Sequence, residues 1–288
     1  MTSSISSRTF DRIADLLRSA DQVLVGAGAG LTAAAGIDYT DTEAFERVFP
    51  FMLRHGVTMQ MEAIGRFDWS PELLWGYWAT HVNYVRFTPP PHDVYDKLVA
   101  LIGNKDHFVI TSNVDCLFTR NGLSEERIFT PQGNYAFYQC RRPCTQQVWE
   151  FEPVMRSLLA NQIPITGEVP DAATHPRCPN CGGQVFLNVR IDAGMVETPY
   201  VEQSKRFRKW ISKVDRGRLL VLEAGAGFNT PSVVRWPMEQ ITHHFENAHL
   251  VRINSAHPEV PVALTGKATP VKTGAGVAIE ELAHRLAG

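Results

Sequence analysis

Four short apolar segments, each followed directly by a glycine-rich or polar loop, constrain the fold of this chain most strongly. The segments cover residues 23–25, 108–111, 219–222 and 250–254. Phe10, Ile13 and Leu17 have helical spacing before the first segment, and further helical patterns separate the others. This alternation of helices and strands predicts an α/β fold with an open parallel sheet.

The loops after these segments are the first candidate for a ligand site. They cover residues 26–30, 112–115, 224–230 and 254–257. Loops at the carboxyl ends of parallel strands lie over one crevice, so we expect the four loops to meet and to form a nucleotide site. Gly26 and Gly28 would let the backbone approach a pyrophosphate, and a helix expected over residues 32–36 would offer free N–H groups.

The glycine loop departs from the dinucleotide-binding fingerprint, because Leu31 occupies the position of its third glycine. A tight strand-to-helix turn without a ligand is therefore the alternative interpretation. For a nucleotide site, we expect Gly28 to have a positive φ and to leave space for the pyrophosphate. A β-branched side chain at this position would then prevent binding.

Four of the five cysteines form two close pairs. Cys140 and Cys144 are separated by three residues, and Cys178 and Cys181 by two. In a chain without a recognisable secretion signal, this spacing predicts a tetrahedral zinc site rather than disulfides. Four thiolates leave no open coordination position, so the zinc would be structural. The alternatives are buried free thiols, a site that has lost its metal, or His175 in place of one cysteine.

The stretch between about residues 45 and 90 is rich in aromatic residues, which predicts several short helices whose rings form a local core. Together with the cysteine pairs, this stretch predicts a second, smaller domain. We expect a nucleotide-binding domain formed by residues 1–44, 92–136 and 215–288, and a small domain formed by a helical insertion, residues 45–91, and a zinc-binding module, residues 137–214.

Charge and composition exclude several classes of function. A net charge of −2 and a pI near 6.6 provide no basic surface for DNA or RNA. No segment approaches the run of about 20 apolar residues that spans a bilayer, and residues 1–8 lack the apolar core of a secretion signal. We therefore expect no nucleic-acid or membrane partner and an intracellular location, cytoplasmic with a mitochondrial one left open.

Several motifs together resemble the sirtuin family, and they occur in sirtuin order. They are residues 26–30, 36–38, 111–115, 132–133, the two cysteine pairs, 225–230 and 253–254. Within the family, the chain is similar to the macrodomain-linked sirtuins, which share the start Gly-Ala-Gly-Ala-Gly-Leu and a Thr-x-Gln-Gly-x-Tyr stretch, here residues 130–135. Gln132 stands where deacylating sirtuins carry histidine, and residues 37–41 replace their Pro-Asp-Phe-Arg loop.

The resemblance implies a Rossmann-like parallel sheet with helices on both faces, a small zinc-ribbon and helical domain, and NAD bound in the cleft between the two domains. Asn113 and Asp115 would surround the nicotinamide and its ribose, and Gln132 would orient that ribose, which makes these three the candidate catalytic residues. The implied NAD-binding residues are Gly26, Ala27, Gly28, Ala29, Gly36, Ile37, Asp38, Ser112, Asn113, Asp115, Gln132, Gly225, Gly227, Asn229, Thr230 and Asn254.

The glutamine in the histidine position argues against ordinary deacetylation. An imidazole with a pKa near 6.5 can take a proton at neutral pH, whereas a carboxamide can only orient groups through hydrogen bonds. Breaking the nicotinamide–ribose bond develops positive charge, which the carboxylate of Asp115 can stabilise. A carboxylate on an acceptor protein is already a nucleophile and would need no base.

The resemblance therefore implies an NAD-dependent protein ADP-ribosyltransferase. In the branch that the chain resembles, the acceptor is a lipoyl-carrier protein related to the glycine-cleavage H protein, and a macrodomain hydrolase removes the modification. Three alternatives remain open. They are an NAD-dependent deacylase in which water or another side chain replaces the histidine, an NAD hydrolase, and a non-catalytic sensor of NAD or ADP-ribose.

Overall fold

The structure is a computed structural model that describes residues 7–214 and 217–287. Residues 1–6, 215–216 and 288 lie outside the described residues. The predicted nucleotide-binding domain includes all of them, and the prediction that residues 1–8 form no secretion signal concerns the first six. Within the described residues, the predicted α/β fold with a parallel sheet is confirmed. No helix in this part of the chain has the length and apolar character that a membrane span requires.

The strands form two sheets. They are β1 Gln22–Ala27, β2 Asp106–Thr111, β3 Ile128–Phe129, β4 Gly133–Cys140, β5 Trp149–Glu150, β6 Val185–Val189, β7 Leu219–Ala224, β8 Ala248–Ile253 and β9 Ala268–Val271. The large sheet has six parallel strands in the order β3-β2-β1-β7-β8-β9, and the small sheet is antiparallel with the order β5-β4-β6. The four predicted strands are the four central strands of the large sheet.

Helices cover the large sheet and form much of the small domain. The α-helices are α1 Ser7–Ser19, α2 Ala29–Ala34, α3 Thr42–Val48, α4 Gln60–Ala63, α5 Pro71–Val82, α6 Val94–Ile102, α7 Leu117–Arg120, α8 Glu152–Ala160, α9 Thr198–Ile211, α10 Arg235–His244 and α11 Ala275–Ala287. Shorter 3₁₀ helices cover Pro50–His55, Glu125–Arg127, Ala172–Thr174 and Val262–Leu264, and Asn83–Phe87 is π-helical. The helix expected over residues 32–36 begins earlier, at Ala29, directly after Gly28.

The buried strands explain why the parallel sheet was visible in the sequence. All six residues of β7 are buried, and in β1 five of six are buried. Such continuous apolar runs are typical of parallel strands that helices cover on both faces. Helix α1 shows the complementary pattern, because it buries Phe10, Ile13 and Leu17 on one face.

The packing of α9 affects the predicted division into domains. Trp210 of α9 lies 5.7 Å from Phe108 of β2, measured between ring centroids, and its indole N–H donates to Asp106 Oδ1 at 2.9 Å. Strand β4 also begins at Gly133, before the predicted boundary at residue 136. The division therefore stays a proposal, in which we now assign α9 to the nucleotide-binding domain.

Candidate functional site

The carboxyl ends of the four central strands lie side by side. In the parallel registers, Ala27 is paired with both Thr111 and Ala224, and Ala224 is paired with Ile253. These four residues end β1, β2, β7 and β8, so the loops that follow them emerge at the same edge of the sheet. The sequence-predicted loops are therefore neighbours in the fold.

Two clefts open at this edge. The first, which we call the aspartate cleft, has a volume of about 380 Å³ and is lined in part by Thr111, Asn113, Asp115, Cys116, Thr130 and Asn134. The second, the glycine cleft, has a volume of about 320 Å³. Seven of the predicted NAD-binding residues line the glycine cleft: Ala29, Ser112, Gly225, Gly227, Asn229, Thr230 and Asn254.

The remaining predicted NAD-binding residues line neither of these two clefts. They are Gly26, Ala27, Gly28, Gly36, Ile37, Asp38 and Gln132. A Cβ atom on Gly26 would lie 2.9 Å from Met238 Cγ, so this glycine faces α10. Ile37 is buried, and Asp38 Oδ1 accepts hydrogen bonds from the backbone N–H and hydroxyl of Thr40. The nucleotide-contacting roles of these residues stay predictions.

Gly28 is needed for a different reason from the one expected. Its φ is −127°, so the predicted positive φ is wrong. A Cβ atom on Gly28 would lie 2.6 Å from Ala226 Cα and 2.7 Å from the Gly225 carbonyl oxygen. The turn after β1 thus packs backbone against backbone on the loop after β7, and only glycine fits between them.

We expect Gly28→Ala to destabilise the protein by about 1–3 kcal/mol, because the backbone at Gly225 and Ala226 must move to admit the methyl group. Urea denaturation measures this difference. Gly217→Ala is the matched control, since a Cβ atom there would meet its nearest neighbour at an ordinary 3.6 Å. Equal stability of both variants and the wild type would show that the turn is loosely packed.

Asp115 lines the aspartate cleft and is buried, with only 4% of its surface exposed. The hydroxyl of Thr32 donates to Oδ2 at 2.7 Å, and the backbone N–H of Leu117 donates to Oδ1 at 2.9 Å. Burial raises the pKa of Asp115, while these two hydrogen bonds and the nearby guanidinium of Arg86 act in the opposite direction. The two hydrogen bonds, one to each oxygen, restrict the orientation of this carboxyl group.

Asn113 and Gln132 have different environments. The Asn113 side chain donates to the Gly28 carbonyl at 3.1 Å, which ties the loop after β2 to the turn after β1. Gln132 is half-buried in the short loop that joins β3 to β4. Its backbone carbonyl accepts a hydrogen bond from the Arg190 backbone N–H at 2.9 Å. Its carboxamide makes no hydrogen bond within the described part of the chain. The next residue, Gly133, has a φ of 98°, where glycine is favoured.

A buried histidine that was not predicted from the sequence lies among three tyrosines of the site region. His81 of α5 is fully buried, with Nε2 3.3 Å from the Tyr39 hydroxyl and 3.2 Å from the Tyr135 hydroxyl. Its Nδ1 lies 3.4 Å from the Tyr77 hydroxyl. Only the spacing of Tyr77 and His81, four residues apart on one helix, was visible in the sequence, because the other two tyrosines come from distant segments.

The burial of His81 predicts a loss of stability in acid. Burial lowers the pKa of His81 to about 3, below the value near 6.5 expected in the unfolded chain. The unfolded state therefore binds more protons as the pH falls from 6.5 towards 3, and this group removes about 1.4 kcal/mol of stability per pH unit over that window. Urea denaturation at several pH values should show a shallower slope for His81→Gln than for the wild type.

His284→Gln, on the surface of α11, is the control and should keep the wild-type slope. An unchanged slope in His81→Gln would contradict the buried, neutral state of His81. His249, whose pKa burial lowers to about 4, acts in the same direction and would account for part of the remaining slope.

The four predicted zinc ligands lie together. The sulfur atoms of Cys140, Cys144, Cys178 and Cys181 all lie within 4.8 Å of one another, with 3.8 Å between Cys140 and Cys181 and 3.6 Å between Cys144 and Cys178. Tetrahedral zinc with Zn–S bonds of about 2.3 Å would hold its sulfur atoms about 3.8 Å apart, so the cluster fits structural zinc. No disulfide is formed among these cysteines.

Two further contacts support this assignment. The Asn180 side chain donates to Cys144 Sγ at 3.2 Å. Hydrogen bonds of this kind orient a metal-binding thiolate and stabilise its charge. His175, the alternative ligand, instead has Nε2 2.7 Å from the Val169 carbonyl and is buried. The four-cysteine set is therefore favoured over a set that includes histidine.

Comparisons with known proteins agree with this geometry, although no protein-family model matches the chain. A probable bifunctional ADP-ribose hydrolase/ADP-ribosyltransferase of Fusarium oxysporum f. sp. cubense is 37% identical over 85% of this chain and 42% of its own length. The chain thus spans less than half of that relative. A protein ADP-ribosyltransferase of Staphylococcus aureus (strain Mu50 / ATCC 700699) is 27% identical over 86% of this chain and 80% of its own length.

The fold comparison covers almost the whole chain. A solved complex of a Sir2 homolog with NAD superposes with a TM-score of 0.59 at 17% identity, covering 96% of this chain and 93% of that one. Other solved sirtuin structures superpose with similar scores. The predicted resemblance is therefore confirmed: this chain has the sirtuin fold, and its sequence is similar to those of proteins named as ADP-ribosyltransferases.

Proposed function

We propose that this protein is an NAD-dependent protein ADP-ribosyltransferase. The observation that carries the proposal is the combination of a fixed carboxylate, Asp115, with a glutamine at position 132, where deacylating sirtuins carry their histidine base. The two relatives named as ADP-ribosyltransferases, each aligned over more than four-fifths of this chain, support the same reaction.

The proposed nucleotide position follows the two clefts. The adenosine and the diphosphate would occupy the glycine cleft, against Gly225, Asn229, Thr230 and Asn254. The nicotinamide ribose would extend towards Asn113, Asp115 and Gln132. This arrangement is supported by the NAD complex of the Sir2 homolog that shares the fold and by the loops that meet at the sheet edge.

The proposed chemistry uses the charge of Asp115. As the bond between nicotinamide and ribose breaks, positive charge develops on the ribose, and a carboxylate fixed by two hydrogen bonds can stabilise it without reorganising. A carboxylate oxygen of the acceptor protein then forms the new bond to the same ribose carbon, and nicotinamide leaves with the electron pair of the broken bond, so no proton has to be removed. His81 is an unsuitable base for this step, because burial holds its pKa at about 3.

We propose a protein as the acceptor, and a lipoylated carrier related to the glycine-cleavage H protein as its specific form. The name of the Staphylococcus relative supports a protein acceptor. The bifunctional name of the Fusarium relative supports a functional link to an ADP-ribose hydrolase, such as a macrodomain protein. The four clustered cysteines form no disulfide, and cysteines in a metal-site arrangement are more typical of reducing compartments, which supports an intracellular location.

Variants of Gln132 test the proposal against the deacylase alternative. If Gln132 orients the ribose, Gln132→Ala should raise the activation free energy of transfer by on the order of 1–3 kcal/mol, through the loss of one or two hydrogen bonds. Gln132→His should not create efficient deacetylation, because residues 37–41 also differ from the deacylase loop. Chromatography measures nicotinamide release with the carrier protein and, separately, with an acetylated peptide, and mass spectrometry of the protein and the peptide distinguishes transfer from deacetylation.

Gln147→Ala, on the surface of the small domain, is the control and should keep wild-type transfer. Efficient deacetylation by Gln132→His would contradict the expectation that the difference at residues 37–41 also prevents this reaction. Unchanged transfer by Gln132→Ala would contradict the orienting role of Gln132.

A further inference from the structure

Phe228 has an unusual position at the glycine cleft. It lines the cleft, and 55% of its surface is exposed, which is high for a phenylalanine. One side of its ring is covered, because the Arg235 guanidinium carbon lies 4.4 Å from the ring centroid. The His257 ring meets it edge to face, with 5.1 Å between centroids. With these two contacts made, more than half of the residue's surface is still exposed, and the residue borders the cleft.

Arg235 is itself fixed in place. Only 4% of its side chain is exposed. Its guanidinium donates to the carbonyls of His257 and Glu259, both at 2.9 Å. Because Arg235 begins α10 and these carbonyls belong to the loop after β8, it joins two segments that border the glycine cleft. The ring of Phe228 thus rests on a group that cannot move freely.

A second buried arginine strengthens this support. Arg252 of β8 is fully buried and pairs with Glu223 of β7 through two hydrogen bonds, at 2.7 and 2.9 Å. It also donates to the Glu259 carbonyl at 2.7 Å. Both arginines therefore donate to the carbonyl of the same loop residue, Glu259. Through its pair with Glu223, Arg252 links this loop to the central strand β7. Removing one partner of such a buried pair destabilises a protein strongly, because it leaves the other charge buried and unpaired.

We propose that Phe228 stacks on the adenine ring of the nucleotide and that Arg235 is the residue that positions it. This inference rests on the proposed function, because it assumes that an adenine nucleotide occupies the glycine cleft. An aromatic ring that is held by Arg235 and still largely exposed at a cleft is suited to a planar heterocycle, since offset stacking needs a flat partner and no matched hydrogen bonds. The lining by Asn229, Thr230 and Asn254 would serve the ribose and phosphates of the same ligand.

The test compares ligands with and without adenine. Isothermal titration calorimetry of Phe228→Leu should show binding of NAD and AMP weakened roughly tenfold. Binding of nicotinamide mononucleotide, which lacks adenine, should be unchanged. Phe228→Tyr should keep wild-type affinities, because the ring is retained. Wild-type affinity of Phe228→Leu for NAD and AMP would overturn the stacking role.

Arg235→Lys separates positioning from general support of the fold. Lysine keeps the charge but not the flat guanidinium under the ring, so AMP binding should weaken while binding of nicotinamide mononucleotide stays unchanged. Equal weakening for both ligands would show that Arg235 only supports the fold and would overturn its positioning role. Thermal unfolding of each variant reports its stability.

Trp236→Leu is the matched control, because Trp236 is a neighbouring, 49% exposed aromatic residue that does not line the glycine cleft. It should bind NAD and AMP like the wild type. A wild-type protein that binds neither NAD nor AMP would contradict the proposed function itself, and with it the stacking. Normal binding by the wild type and by Phe228→Leu would contradict the stacking alone.

Discussion

Asp115→Asn is expected to lower the rate of nicotinamide release from NAD roughly 10²–10³-fold, the size of effect seen when one preorganised electrostatic contact to a developing charge is lost. Asparagine has nearly the same shape, so Leu117 N–H and the Thr32 hydroxyl retain a partner and the fold should persist. What disappears is the negative charge that we propose faces the nicotinamide ribose. Single-turnover release of nicotinamide, measured at saturating NAD, isolates this step.

Two further variants separate the effect of the Asp115 charge from the effects of its hydrogen bond and of charge removal elsewhere. Thr32→Val removes one hydrogen bond to Asp115 but keeps its charge, so we expect a smaller loss, of about tenfold. Asp192→Asn removes a carboxylate that pairs with Arg141 at the surface and should leave the rate unchanged. A rate for Asp115→Asn within a few-fold of the wild type would show that its charge does not face the reacting ribose.

Cys178→Ser is expected to have the largest effect on stability. The wild-type protein should contain one zinc ion per chain, and the variant should lose it, because a serine hydroxyl is a poor ligand for structural zinc. Zinc binding contributes a large part of the folding free energy of small metal-binding modules. We therefore expect β4, β6 and the segments that carry the four cysteines to lose stability together. Metal analysis and thermal unfolding measure the two effects.

Cys116→Ser is the matched control for the zinc prediction. Cys116 lies outside the cluster, beside Asn134, with 2.7 Å between Sγ and Oδ1. The control should therefore keep its zinc. A wild-type protein without zinc, purified without exposure to a chelator, would contradict the assignment of the four cysteines.

The central strands could be predicted from the sequence because they are buried on both faces and therefore continuously apolar. The edge strands β3 and β9 could not, because they have only two and four residues, and Pro270 interrupts the pattern of β9. The helix after Gly28 was predicted three residues late, since its first residues, Ala29 and Gly30, carry no pattern that marks a helix start.

The loops of the site could be predicted because parallel strands bring their carboxyl ends together. Contacts between distant segments could not be predicted. The packing of Gly28 on Gly225 and Ala226, the tyrosines around His81, and the arginine support below Phe228 each join residues far apart in the chain. Spacing within one segment carries no information on such contacts, so the reason for Gly28 was misjudged although its importance was expected.

Product analysis distinguishes transfer of ADP-ribose to a protein from deacetylation. The wild-type protein would be incubated with NAD and a lipoylated carrier protein, and separately with NAD and an acetylated peptide. Mass spectrometry would identify the modified species, and chromatography would quantify nicotinamide. We expect nicotinamide to be released in equal amount to the ADP-ribose bound to the carrier protein, with the acetylated peptide unchanged. Efficient deacetylation of the peptide, without ADP-ribose on any protein, would contradict this expectation.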